Sequence, residues 1–247
     1  MDIVILVFVT ILIGSCMQRV SGMGVGLLGA PVLSIVMGPV DGVMVINALA
    51  AVNAALSTLS VRKDVDCRKF ALIGPVMVVG AVPAAWLIHS MSLPGLQLVV
   101  GVLLVIALLI TTVGLKFVPL ATGPAPAVVT GAVSGFTNTL SGVAGPVITV
   151  YAQAARWDQR SFVATLQPLF VVSGVVSFLI KFLTDAGDIS GQPWGIWPGG
   201  LLAMVIGITI GARLSGRVDR DKARKLSLAV AGAGAAAVLV RGVAGLV

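Results

Sequence analysis

Arg19 is a guanidinium set inside a long apolar run, with Cys16, Gln18, Ser21 and Gly22 no more than three residues away. A charge at membrane depth costs at least ~2.5–3.5 kcal/mol on insertion scales, so an ionisable residue there is first a site candidate. Its planar fork of N–H donors suits an oxyanion. The competing reading is an arginine that snorkels to the surface or pairs with a carbonyl. A second apolar run repeats the pattern without the charge. Asn138-Thr139-Leu140-Ser141-Gly142-Val143-Ala144 lies in register with Gln18-Arg19-Val20-Ser21-Gly22-Met23-Gly24. Thr139 takes the place of Arg19, so a site shared by the two segments is asymmetric.

Ser21, Gly22, Ser141 and Gly142 stand where a second half-helix is expected to begin. A helix N-terminus presents unsatisfied N–H groups and partial positive charge, which suits an anion. Pro146 fits a first helical turn, where its missing N–H costs nothing. Continuing the register, Asn47 falls opposite Gln167, and Asn53 opposite Ser173. The expected anion cavity is lined by Arg19, Gln18, Ser21, Gly22, Asn47, Asn138, Thr139, Ser141, Gly142 and Gln167. The plainer alternative is that the glycines serve close helix packing and the polar side chains bridge helices.

Covalent chemistry finds little support. No Ser/His/Asp set, metal cluster or nucleotide loop is legible; the glycine-rich segments lack the Gly-Lys-Ser/Thr of a phosphate loop. The one histidine, His89, reads as interfacial, and Asp41 as a helix cap. Cys16 and Cys67 have no metal-ligand spacing and read as free thiols. No cofactor and no metal are expected.

The elements that position these residues are membrane helices. Hydrophobic residues make up 58% of the 247 and charged ones 10%, more apolar surface than a soluble domain of this length can hide. The start Met1-Asp2-Ile3-Val4 lacks the basic opening of a cleaved signal peptide, so the first apolar stretch is expected to be retained. Six runs suit single spans: 41–61, 70–89, 96–115, 161–182, 196–214 and 226–246. Two do not. The stretch 3–38 would be about 52 Å long as one helix, far more than a bilayer needs. It is broken at Gln18–Gly24, and 125–155 is broken likewise at Ser134–Pro146.

Loop charge decides how these two stretches run. If both are hairpins that return to the side they entered, the loops 62–69, 116–124, 154–160 and 213–225 share one side. Together they hold 13 of the 16 lysines and arginines; the others are Arg19, Lys181 and Arg241. The positive-inside rule makes that side cytoplasmic and puts both termini outside. The net charge of +7 therefore reads as a topology signal, not as nucleic-acid binding. The expected fold is an all-α membrane protein of two inverted repeats, 1–120 and 121–247. Each is one re-entrant or broken helical hairpin plus three transmembrane helices. Such repeats with broken helices belong to alternating-access transporters, and the hairpin tips are expected to meet near the midplane.

With Ser21-Gly22-Met23-Gly24-Val25-Gly26-Leu27-Leu28-Gly29-Ala30-Pro31, its counterpart Ser141-Gly142-Val143-Ala144-Gly145-Pro146, and the run Gly211–Leu214, the chain resembles the TauE/SafE family over essentially its whole length. That family is also called the sulfite exporter or toluene-sulfonate uptake permease family. Tandem glycines are fewer here than in the family pattern. The resemblance implies a multi-pass inner-membrane transporter of a small sulfur-containing anion such as a sulfonate or sulfite, moved in either direction; export is expected because an inside-negative potential drives a monoanion outward. The alternatives are uptake of a sulfonate, thiosulfate (with Cys16 as a contact) or a carboxylate, proton-coupled or not, an intramembrane enzyme, or a non-transporting scaffold. Expected partners are the anion, membrane lipid and a second copy of the chain.

Overall fold

A computed structural model describes residues 3–21, 25–113, 119–214 and 218–246. Among them are eleven α-helices and no strand: α1 (Ile3–Ser21), α2 (Val25–Met37), α3 (Asp41–Val61), α4 (Cys67–Ile73), α5 (Met77–Ser90), α6 (Leu93–Val113), α7 (Ala125–Ser141), α8 (Gly145–Ala154), α9 (Gln159–Leu183), α10 (Ile196–Leu214) and α11 (Arg220–Ala244). The chain is thus the all-α membrane protein that its composition implies.

The six expected spans correspond to α3, α4 with α5, α6, α9, α10 and α11, each long and apolar enough to cross a membrane. The run expected as one helix over 70–89 is two, because Gly74 and Pro75 interrupt it. Gly74 caps α4, and the Met77 N–H donates to the Gly74 carbonyl at 3.1 Å. Both hairpin stretches are broken helices. The first pairs a 19-residue arm with a 13-residue arm; the second pairs 17 residues with 10. The longer arm of the first, Ile3–Val20, also meets the length and hydropathy of a span.

Lipid offers no hydrophobic drive to associate, so these helices must fit closely through small residues. α1 lies along α10, α5 along α7, α3 along α9, and α6 along α11. Gly199 faces Val4, Gly207 faces Leu12 and Ser15, and Gly211 faces Cys16 and Arg19, so α1 and α10 run in the same direction. In the same way Gly131 faces Ile73 of α4 and Gly135 faces Met77 of α5, so the α4–α5 span runs parallel to α7. One buried cluster joins Val7, Ile11, Leu28, Leu33, Ile46, Leu104 and Met204; a second joins Ile73, Met77, Ile148, Phe162 and Leu169. Large apolar side chains such as Leu59, Val79, Trp86 and Leu202 face outward, as a lipid-facing surface requires.

Candidate functional site

The second hairpin turns at Gly142, whose φ of 73° suits glycine, and whose N–H caps α7 by donating to the Asn138 carbonyl at 2.8 Å. α8 begins only at Gly145, with Pro146 in its first turn. Ser141 and Gly142 therefore end the first arm; they do not open the second, as the sequence suggested. Ser21 likewise closes α1, while its side chain and Gly22 lie outside the described residues. The first N–H of α2, on Val25, is taken by Gln18 Oε1 at 2.9 Å, and the same oxygen accepts from Asn53 Nδ2 at 2.8 Å. An internal side chain thus occupies the donor expected to face an anion.

The two hairpins meet through their glycines. A Cβ at Gly26 would come within 2.6 Å of the Gly142 carbonyl oxygen, and one at Gly142 within 3.0 Å of Ala30 Cβ. Gly142 also faces Val43 and Ile46 of α3. This contact holds the end of α7 against α2 and α3, where α7, α3 and α9 pack on one another.

Between those three helices lies a buried polar network. Asn47 Nδ2 donates to Ser177 Oγ at 2.8 Å and to the Asn138 carbonyl at 3.4 Å. Asn138 Nδ2 donates to Asn47 Oδ1 at 3.1 Å and to the Ser173 carbonyl at 3.0 Å. Asn47, Asn138, Ser173 and Ser177 are all buried. Each amide has two N–H groups, so both are fully used by protein acceptors. Asn47 and Asn138, both expected to line one cavity, meet here as hydrogen-bond partners of one another. As donors to an anion they are already committed, and their visible work is to fix Ser177.

The other expected residues spread around this network. Thr139 is buried with no partner for Oγ1, and Gln167 is half-buried with none for Oε1. Ser141 Oγ donates to the Thr137 carbonyl at 2.8 Å. Arg19 is not buried. It is exposed on the last turn of α1, next to Gly211 and so level with the start of the basic 213–225 stretch. The reason is length: α1 continues through Gln18 and Arg19 as regular helix, carrying the guanidinium to the end of its partner helix. Cys16 packs on Val20 and Leu214, away from the network. Asp41 caps nothing; it is the first residue of α3, and its Oδ1 accepts from the Asp188 N–H at 3.1 Å. His89 is exposed at 2.7 Å from the Thr184 carbonyl oxygen.

Among the described residues the buried cation is Lys181, at 0% exposure and with no hydrogen-bond partner for Nζ. Sequence reasoning passed over it because it ends a span, where a lysine ordinarily snorkels to the interface. The available signal was the spacing Ser173, Ser177, Lys181, which places three polar groups on one face of α9. A cavity of about 320 Å³ elsewhere, on the α3–α9 seam, is lined only by apolar residues including Ala51, Val52, Val175 and Phe178. Among the described residues no cluster of His, Cys or Asp has the makings of a metal site.

No match is found among curated proteins or among solved structures. The family model described as Sulfite exporter TauE/SafE matches residues 6–238, nearly the whole chain. This multi-span helical protein, with its buried polar network beside a broken hairpin, belongs to the sulfite exporter TauE/SafE family of membrane transporters.

Proposed function

We propose that the protein exports a small sulfur-containing oxyanion, sulfite or a sulfonate, across the cell inner membrane by alternating access. The observation that carries this reading is the network at Asn47, Asn138 and Ser177. It gathers buried polar groups from the two halves of the chain at one point between α3, α7 and α9. Polar groups inside a membrane protein are costly and mark a substrate path.

The packing supports two inverted halves, 1–120 and 121–247. If α4 and α5 count as one broken span, exchanging the halves turns the α1–α10 pair into the α7–α5 pair. It leaves α3–α9 and α6–α11 unchanged. Two halves related in this way can trade conformations, which alternately opens the point where they meet. The oxyanion class rests on the family, because hydroxyl and ammonium donors alone would equally suit a carboxylate.

Flux in proteoliposomes tests the proposal, with sulfite, methanesulfonate, thiosulfate and acetate supplied separately. Saturable movement of sulfite or methanesulfonate is the expected result. Movement of acetate alone reassigns the substrate. Absence of protein-dependent flux for all four removes transport of small anions and favours an enzyme or scaffold.

A further inference from the structure

We propose that Lys181 and Ser177 form the anion subsite, with Lys181 supplying its positive charge and the Asn47–Asn138 pair holding Ser177 in place. This deepens the transport reading and rests on it for the identity of the anion.

The donor inventory singles out these two groups. Ser177 Oγ accepts from Asn47, and its own proton goes to no acceptor among the described residues. Lys181 lies one helical turn further on the same face of α9, a separation of about 5–6 Å between Cβ atoms. Its three N–H donors have no partner among the described residues. The carboxylate that acts on it is Asp41, in the first turn of α3. One oxygen of Asp41 is already held by the Asp188 N–H, and no ion pair with Lys181 forms. Leaving an ammonium buried and unpaired costs several kcal/mol, so an anion that brings a compensating charge to Lys181 is favoured there. A monoanion seated between Nζ and the Ser177 hydroxyl provides it, with a charge-assisted hydrogen bond on each side.

The subsite is closed in this conformation. The 184–188 connection crosses its outer end, with the Ala186 N–H donating to the Lys181 carbonyl at 2.9 Å and Asp188 tied to Asp41. Since Nζ is fully buried, an anion reaches it only when a neighbouring element moves. That is the behaviour required of an occluded state in alternating access.

The experiment measures thermal unfolding midpoints of the full chain in detergent against sodium sulfite, methanesulfonate, acetate and chloride. Wild type is compared with Lys181→Met and Ser177→Ala. Lys181→Met replaces a buried unpaired charge with an apolar chain of similar length, a change that is neutral or stabilising when no ligand is present. Wild type should gain stability with sulfite or methanesulfonate. Lys181→Met should need at least about thirtyfold more anion for the same gain, the usual loss when one partner of a buried charge pair is removed. Ser177→Ala should need about tenfold more, and it carries the test if Lys181→Met does not purify as a folded protein. A wild-type response to sulfite that persists in both variants overturns the subsite and leaves the transport reading standing. A Lys181-dependent response to acetate but not to sulfur oxyanions upholds the subsite and overturns the substrate. A wild type that responds to none of the four anions overturns the subsite.

Discussion

Asn47 Nδ2 donates to Ser177 Oγ at 2.8 Å, joining α3 to α9 across 130 residues of sequence. The bond is one strand of a knot, since Asn47 Oδ1 accepts in turn from Asn138 of α7. Three helices thus share a polar centre in which the Asn138 amide donates to Asn47, and Asn47 to Ser177 and the Asn138 main-chain carbonyl.

Removing one member should be felt by the rest. Asn47→Leu strands an Asn138 N–H and takes away the Ser177 partner, at about 1–3 kcal/mol for each group left unsatisfied. Asn138→Leu should cost a similar amount. Residues of one network do not act independently, so the double variant should lose clearly less than the sum of the singles. Thermal or denaturant unfolding in detergent measures this. Strict additivity would show that the two amides are not a unit.

Close approach of the hairpins makes a second expectation. At Gly26 a Cβ would meet a backbone carbonyl at 2.6 Å, which cannot yield as a flexible side chain would. Gly26→Ala should push α2 away from the α7 turn and lower the unfolding midpoint, while Gly232→Ala, with nothing within 4 Å, should not. Equal midpoints for the two variants would mean that the hairpins do not hold each other as described.

Much of this architecture was legible because bilayer thickness and loop charge act on the sequence directly. Every span expected from the apolar runs has its helix, and both Gly-rich interruptions are real breaks. The local register was harder to read. Whether Ser141 ends one helix or starts the next depends on the positive φ at Gly142, and nothing in the spacing reveals that. The spacing Ser173, Ser177, Lys181 hinted at one polar face of α9, but not at the burial of Lys181 or the exposure of Arg19. Each is one basic residue near the end of an apolar run. Only packing decides that Arg19 meets the edge of α10 and stays exposed while Lys181 is fully buried. Asn47 and Asn138 were identifiable as buried polar residues, but not that they spend their donors on protein.

The orientation expected from loop charge has a native probe. Cys67 is exposed beside Arg68 and Lys69, and Cys16 is buried. With that loop cytoplasmic, a membrane-impermeant maleimide should label Cys67 in inverted vesicles and leave it unmodified in intact cells. Labelling from the outside of intact cells would reverse the topology.

Arg19 yields a prediction opposite to the one its sequence context invites. An exposed charge at the end of α1 contributes about 0–1 kcal/mol to an ion contact in high dielectric. Arg19→Ala should therefore change the affinity for sulfite less than about fivefold. Its remaining role is to draw anions toward the basic 213–225 side, so any loss of transport rate should vanish at high salt. A large, salt-independent loss of affinity would place Arg19 in the binding site after all.

The energetics follow from where charge is fixed. No Asp lies in the middle of a span, and Glu is missing from the sequence, so a buried carboxylate is not available to carry protons or sodium. Lys181 belongs to the protein and returns to its starting place in every cycle. If its ammonium stays protonated throughout the proposed cycle, the net charge moved is that of the anion alone. One elementary charge crossing 100 mV is worth ~2.3 kcal/mol, about fiftyfold in concentration at equilibrium. In a membrane that is negative inside, this drives a monoanion outward without a coupling ion. Proteoliposomes loaded with methanesulfonate, which does not titrate near neutral pH, isolate that term. A potassium-diffusion potential, inside negative at fixed pH, should produce net efflux, and reversing its sign should produce uptake. Efflux that ignores the potential and follows an imposed pH gradient would establish proton coupling in place of uncoupled export.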